Sequence, residues 1–378
     1  MPFSFVFACR VEDVDSAIHP DWQWGWRSRT GEAALAFHRV GHMNCPTHQS
    51  LTTRLADALR IATEVSCRQI YFRSHRLMEW RSSRLRNQGS PGAPQKATCN
   101  GLGEFLKGIG VGGNAVVMVH TSVRDVSLIS DEQTGRVFLQ PIEVASRLLS
   151  LLVEVIRETG TLVMPTHPFY RDDPGYFKGG DKSQLVLTYD PVKTPCNVGL
   201  TNELFRLSPG ARRSLHPLQC VSARGPLAED LLRDNLNRNK PLPHGVDSAY
   251  YRICKHGGIV VSIGVPLIEY FTLIHTAEDL RDAEWPVKNF FRERRFRVRI
   301  GGSCDEWTVR ERCPLFVRSI CEGQLHRDLL REGLLHEGRA GTIRVDWANA
   351  AEVLEFLMRR NQGNSYPYFL TGWAKWGG

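Results

Sequence analysis

Side chains able to hold or move a proton gather at four places in this chain: His120, Thr121 and Ser122; Thr166 and His167; Arg213, Ser214 and His216; and Thr272, His275 and Glu278. An imidazole supplies a base near neutral pH, and a hydroxyl or N–H supplies a donor to a developing oxyanion. A neighbouring carboxylate fixes an imidazole's tautomer and raises its basicity. A lone histidine in a chain of this size is more often a packed structural residue than a catalyst. Four polar groups, three closing or following an apolar run and the third in chain order preceding one, shift that balance, and the pairing that matters most is His216 with Glu278.

The apolar runs that deliver these groups read as strands at residues 115–120, Thr161–Pro165, 219–222 and 258–265, with one more at 341–345. Helices are expected over 101–109, 142–160, 201–207, 226–235, 316–332 and 347–360. In the second of these Val144, Leu148, Leu151, Leu152 and Val155 recur at helical spacing. Short buried strands alternating with helices imply an α/β fold, a central mixed sheet covered by helices, with chemistry in the loops at the strand ends. Upstream, Leu51, Leu55, Leu59 and Ala62 predict one helix over 51–65, and the breaker run NQGSPGAP at 87–94 reads as a linker. The expected organisation is therefore an N-terminal extension over 1–97, poorly ordered outside that helix, a single large domain over 98–370 and a tail over 371–378.

Several motifs lack the context their chemistry needs. Gly108, Gly110 and Gly113 spell G-x-G-x-x-G, but they follow a helix and precede a strand, the reverse of a dinucleotide site. The HRDL at 326–329 has no glycine-rich loop, strand lysine or D-F-G to accompany it, and no G-x-S-x-G elbow surrounds Ser214 or Ser222. The ten cysteines fall singly without a C-x-x-C pair, so reduced thiols are expected. His42, Cys45 and His48 form an isolated cluster without a second ligand pair, and no metal is expected there.

Composition is that of a globular chain, 42% hydrophobic and 23% charged, with no apolar run long enough for a membrane helix and no secretory leader pattern, so a cytoplasmic location is expected. The net charge of +8 is concentrated upstream: residues 1–100 hold 13 Lys and Arg against 8 Asp and Glu. The arginine-rich stretch 68–86, with Tyr71, Phe72 and Trp80 interleaved, has the residue types of a nucleic-acid contact but no recognisable module around it, and a solvated face is the expected reading.

Taken as ordered blocks, the chain resembles the aminoglycoside 3-N-acetyltransferase family. The blocks are MVHTSVRDV (118–126), GTLVMPTHPF (160–169), YDPVKTPCNVGLTNELFRLSPGARRSLHPLQCVSARGPLAEDLL (189–232), GVDSAYYRI (245–253) and GGIVVSIGVPLIEYFTLIHTAED (257–279). The resemblance covers roughly 270 residues. It implies an acyltransferase domain that uses acetyl-CoA as co-substrate, no metal, and a small-molecule primary amine as partner, with neither membrane nor nucleic acid; a homodimer stays open. Carried over by motif, the histidine of R-S-x-H-P is His216, the general base, and the glutamate of H-x-A-E is Glu278, its partner. Thr272 is the candidate donor to the thioester carbonyl, with Ser214 or a backbone N–H near Ser122 as alternatives. His120, Thr121, Ser122 and Val123, with Arg213 and Ser214, are the candidate coenzyme contacts.

A polycationic acceptor also needs carboxylates, for which Asp172, Asp173 and Asp181 in the long loop, with Asp190, Glu203 and Glu269, are candidates. Leu215 before the base, and Tyr270 and Phe271, depart from the more polar family pattern, so a biosynthetic acceptor such as an amino sugar or a nucleotide-linked amine stands as the alternative. A rival of another class, a nucleic-acid-binding module built on residues 68–86 with a degenerate enzyme domain, has a direct check. The intact chain is expected to shift no nucleic acid in a gel, and a shift abolished by deleting residues 1–97 would establish that second function.

Overall fold

The computed structural model describes residues 51–73 and 97–369, apart from 127–129, 131–134, 136, 139, 169, 171–184, 239–241, 314–315 and 317–318. His42, Cys45, His48, Asp172, Asp173 and Asp181 lie outside the described residues, as does the tail 371–378. In chain order the helices are α1 (Leu51–Arg73), α2 (Cys99–Gly108), α3 (Pro141–Ile156), α4 (Leu200–Leu207), α5 (Ala228–Leu232), α6 (Ala249–Lys255), α7 (Leu273–Arg281), α8 (Glu322–Arg331) and α9 (Ala350–Arg360). The strands are β1 (Val116–Thr121), β2 (Thr161–Pro165), β3 (Val186–Tyr189), β4 (Arg212–Arg213), β5 (Val221–Arg224), β6 (Ile259–Ile263), β7 (Phe291–Ile300), β8 (Ser303–Arg312), β9 (His336–Ala340) and β10 (Ile343–Asn349).

Seven strands form a mixed sheet in the order β4-β5-β2-β1-β6-β10-β9. Its centre, β2-β1-β6, is parallel, and the flanks are antiparallel. Parallel strands must be covered on both faces, and β1 shows how its uniformly apolar sequence achieves that. Val116 and Met118 point into one core cluster with residues of α6, α7 and α9, whereas Val117 and Val119 point into the other with α2 and α3. The C-terminal ends of β1, β2 and β6 therefore lie side by side, and the polar residues that follow them share one rim of the sheet.

The expected strands and most helices are present, with boundary changes that have local causes. Gln219 stands at φ +50°, which breaks the extended run and delays β5 to Val221. Gly110, at φ +90°, lies between α2 and β1, so the glycine triplet is a helix stop. Trp347 belongs to β10, and the final helix starts only at Ala350, capped by the Asn349 side chain. The HRDL residues are structural: Asp328 takes Arg331, Arg360 and Tyr366, and His326 meets Glu337.

Not anticipated was a second sheet, β3-β7-β8, whose inner face forms a small core of Leu187, Tyr189, Phe296, Val298 and Val309 together with Leu218 and Cys220. Along β7 the buried residues Arg294, Phe296 and Val298 alternate with half-buried or exposed Arg295, Arg297 and Arg299, so the period of two is present but hidden among arginines.

Helix α1 is longer than expected and turns the other way. Leu55 and Leu59 are exposed, while Glu64, Val65 and Arg68 are buried. The Arg68 guanidinium makes two hydrogen bonds to Glu322, at 2.9 and 3.0 Å, and Glu64 accepts the Gly323 N–H at 2.8 Å. The first turn of α8 has no side-chain cap of its own, and Glu64 takes up one of its orphan donors. Arg68 is thus a docking residue. Arg68→Ala should lower stability by about 2 kcal/mol, the usual range for a hydrogen-bonded charged group, read as a lower urea midpoint at unchanged m-value.

Candidate active site

At the rim of the parallel strands a pocket is lined by His120, Thr121, Pro165, His167, Val198, Asn202, Tyr270 and Thr272. They come from the ends of several elements. Strand β1 delivers His120 and Thr121, β2 delivers Pro165 and then His167, and the segment after β6 delivers Tyr270 and Thr272. Asn202 sits in the first turn of α4, which Gly199 starts at φ +147°, where an added Cβ would press to 3.0 Å from the Asn202 side-chain oxygen. That amide donates to the Pro165 carbonyl at 2.7 Å and stands 3.4 Å from the Thr121 hydroxyl, so it ties two walls together.

Burial sets the charge state of the imidazoles. Desolvation pulls His120 down to about 3. His167 falls to about 3 as well, first through desolvation and then through the nearby Arg213 and His120. His244 lies well below the ordinary histidine value for the same first reason, with His216 and His167 adding to it. His275 is likewise depressed by burial, then by Arg312 and His244. A set of neutral imidazoles thus lies in and behind the pocket wall, and His216, itself 2% exposed, is close enough to lower the proton affinity of His244.

His216 sits in the loop joining β4 to β5. Its Nδ1 lies 2.9 Å from the Leu218 carbonyl and 3.2 Å from the Leu218 N–H. With the proton on Nδ1, donation to this carbonyl leaves Nε2 as the basic nitrogen. The Gln219 backbone beside it occupies the left-handed region, which costs a non-glycine residue on the order of 1 kcal/mol and marks a loop whose surroundings dictate its shape.

Glu278 is fully buried on α7. Its carboxylate meets His275 Nδ1 at 3.0 and 3.1 Å, accepts the Tyr368 hydroxyl at 2.6 Å, and has Arg312 at 3.7 Å. The hydrogen bonds of the expected pair therefore go elsewhere: Glu278 to His275 and Tyr368, His216 to its own loop. What connects them is His244, whose ring meets that of His275 edge-on at 5.9 Å and whose proton affinity is lowered by His216.

Thr272 precedes α7 in the N-cap position, yet its hydroxyl makes no capping bond and has no hydrogen-bond partner within the described residues. It is 3% exposed and lines the pocket. Of the alternative donors, the Ser122 N–H pairs with the Ile263 carbonyl at 3.1 Å, and Ser214, whose Oγ accepts the Val221 N–H at 3.1 Å, lies outside the pocket lining. Arg213 stitches backbone, donating to the carbonyls of Thr166, Thr194 and Pro191. Val123 opens a 3-10 turn, Val123–Val126, outside the pocket lining.

The acidic candidates that are described have local duties. Asp190 accepts the N–H groups of Val192 and Lys193, and Glu203 holds Arg206 and the Cys196 N–H. Glu269 lies on the 3-10 turn Leu267–Tyr270 beside the pocket wall. Sequence reasoning passed over Asn202 and His244, and singled out Tyr270 only as a departure from the family pattern. His244 in LPHGVD carried no strand-end signal, because a long-range fold brings it to the others. Among the described residues no group of three or more His, Cys, Asp or Glu is placed to hold a metal, and no helix is long and apolar enough to cross a membrane.

Polar groups at the carboxyl ends of parallel strands, around a pocket walled by neutral imidazoles and a buried hydroxyl, define an α/β enzyme of the group-transfer kind. Residues 118–361 match the family model "Aminoglycoside 3-N-acetyltransferase", and the chain belongs to that family of acyltransferases. Aminoglycoside N(3)-acetyltransferase VII of Streptomyces paromomycinus is 32% identical over 198 residues, which span 50% of this chain and 62% of that protein. Aminoglycoside N(3)-acetyltransferase VIII of Streptomyces fradiae is 28% identical over 271 residues, 66% of this chain and 87% of the relative. The fold is also that of solved acetyltransferases. AAC-IIIb in binary complex with CoASH superposes with a TM-score of 0.55 at 20% identity, covering 72% of this chain and 99% of its own. Sisomicin-bound AAC-VIa gives 0.54 at 21%, covering 71% and 98%.

The depressed imidazoles set a pH dependence of stability. An unfolded histidine takes its proton near pH 6.5, whereas His120 and His167 in the folded chain do so near 3. The unfolded state therefore binds more protons between those values. Stability is fully present above about pH 6.5 and falls as pH drops through the window, by up to about 1.4 kcal/mol per pH unit for each histidine. Urea midpoints at pH 7, 5.5 and 4.5 should decline accordingly, and His120→Gln should flatten the slope by one such increment.

Proposed function

We propose that this chain transfers the acetyl group of acetyl-CoA to a primary amine of an aminoglycoside-type substrate, with His216 as general base. The observation that carries the reading is the meeting of the neutral imidazole set with the uncommitted Thr272 hydroxyl at the strand ends, in a chain of this family. The CoASH and sisomicin complexes of the solved relatives support the two substrates.

The chemistry runs as follows. An ammonium has no lone pair, so the substrate attacks as the neutral amine, its first proton having passed to solvent; as nitrogen bonds to the thioester carbon it becomes positively charged, and Nε2 of His216 takes the second proton. The carbonyl oxygen gains charge, and the Thr272 hydroxyl, helped by the N-terminus of α7, donates to it. Collapse of the tetrahedral species breaks the C–S bond, and the imidazolium returns its proton to the departing thiolate. Glu278 acts from behind His275 and His244, its charge favouring the transient cation at His216. Thr121, with His120 and the turn at Ser122 and Val123, flanks the access for the coenzyme arm. Arg213 and Ser214 hold the walls rather than the coenzyme. Asp172 and Asp173, which follow the wall residue His167 in sequence, are the candidate acidic contacts to a polycation.

The ring of Tyr270 in the pocket wall, where the family pattern is more polar, favours a second acceptor class, an amino sugar or nucleotide-linked amine with fewer positive charges. Thiol release from acetyl-CoA across a panel of both amine classes, with mass spectrometry for a gain of one acetyl group, separates the two. His216→Ala should lose about 10²- to 10⁴-fold in kcat, or roughly 3 to 5 kcal/mol of barrier, with acetyl-CoA binding intact. Wild-type turnover in His216→Ala alongside a collapse in His167→Ala would transfer the role to the pocket-wall histidine.

A further inference from the structure

The loop that carries His216, residues 214–220, is gripped by tyrosines from three separate elements. The Tyr189 hydroxyl, from β3, donates to the Ser214 carbonyl at 2.7 Å. Tyr170, from the segment after β2, donates to the Pro217 carbonyl at 2.6 Å. Tyr250, on α6, donates to the Gln219 carbonyl at 3.1 Å. These carbonyls bracket His216 on both sides in sequence. The base of the loop is closed by Ser214 N–H to the Val221 carbonyl at 2.9 Å, and its Leu218 and Cys220 side chains are packed into the small sheet.

This arrangement exceeds what chain connectivity requires. A hairpin closed at Ser214 and Val221 already joins β4 to β5, and a loop merely passing between strands could turn its carbonyls to water. Here the backbone is instead buried, bent through the left-handed conformation at Gln219, and offered hydroxyl donors at three points. Tyr189 and Tyr250 are buried, which pushes their phenols well above the ordinary range and keeps the hydroxyls protonated as donors. Tyr250 has a second contact: its ring stacks on His244 at 3.8 Å, and His244 meets His275 beside Glu278. One side chain thus touches both the loop of His216 and the inner histidines.

We propose that Tyr170, Tyr189 and Tyr250 are positioning residues that, by fixing the carbonyls of Ser214, Pro217 and Gln219, hold the Leu218 carbonyl against His216 Nδ1. The clamp fixes the tautomer with its proton on Nδ1 and keeps Nε2 as the base. The functional half of this inference rests on the general-base reading of His216; the structural half does not. Only a peptide plane held on both sides can keep one carbonyl on one ring nitrogen, since the neighbouring Leu218 N–H, 3.2 Å away, would otherwise favour the opposite tautomer by donating to the same atom.

The test uses Tyr→Phe variants of the full chain at 170, 189 and 250, alone and as the 189/250 double variant, since each removes one hydroxyl and keeps the ring. The tautomer is read without substrate, from the ¹⁵N shifts of histidine-labelled protein, with His216 assigned by its loss in His216→Gln. Wild type should show Nδ1 protonated, and Tyr250→Phe and the double variant should show a mixture. In turnover, each single variant should lose roughly five- to tenfold in kcat with KM for acetyl-CoA unchanged. The acid limb of the kcat profile should move to lower pH, because a weakened bond from Nδ1–H favours the imidazolium less. An unchanged His216 tautomer in the double variant overturns the proposal, as does a drop in activity that only follows a loss of folded protein. If instead the tautomer shifts but His216→Ala retains full activity, the clamp stands and the general-base assignment is what fails.

Discussion

An imidazole removed from water keeps its place only while it stays uncharged, and the interior of this protein is arranged around that constraint. His120, His167, His244 and His275 all lie where desolvation outweighs any stabilisation of the cation. A cluster of this kind in a dry site has two consequences. It gives any proton that arrives few places to rest, and it makes the orientation of each ring matter, because the hydrogen bond at one nitrogen decides what the other can do.

The sheet brings the cluster together through a simple division of labour. Parallel β1, β2 and β6 bury both faces and so must end together, which places their polar successors on one rim. The antiparallel flank β4-β5 then folds the His216 loop back over that rim, with the Thr166 N–H bonded to the Cys220 carbonyl and the Thr166 hydroxyl to that of Ser222. Arg213 fastens the same corner by donating to three carbonyls, a role that needs a long, permanently charged, forked donor. Arg213, a candidate coenzyme contact by sequence resemblance, is thereby tied into the wall.

The small sheet and α1 show how additions to the central layer are made useful. The hairpin β7-β8, with β3, buries Phe296 and Val298 against Leu218 and Cys220, so its apolar face closes over the back of the His216 loop. Arg312, at the end of β8, reaches Tyr368 and lies 3.7 Å from Glu278, joining that hairpin to the inner carboxylate as well. Helix α1 attaches at a distance from these contacts, through Arg68 and Glu64 on the start of α8. An arginine that looked like part of a basic surface is buried because a carboxylate and a helix start both needed a partner.

The sequence alone was enough for whatever depends on neighbours along the chain. The apolar runs at 115–120 and Thr161–Pro165 had to be buried strands, residues 142–160 had to be an amphipathic helix, and the ordered blocks around HTSV, RSLHP and HTAED placed the chain in its family. Those signals are local because strand and helix periodicity, and the turn chemistry between them, are local. It did not reveal that Glu278 would bond to His275 and Tyr368, that His244 would link the histidines, or that Asp190 and Glu203 would be spent on nearby backbone and Arg206. Nor did it show β7 as a strand, since arginines occupy the alternate positions where polar residues usually mark a solvent face. Those outcomes depend on which groups meet across tens to hundreds of residues, and hydrogen-bond geometry and desolvation act only between groups that folding has already brought into contact.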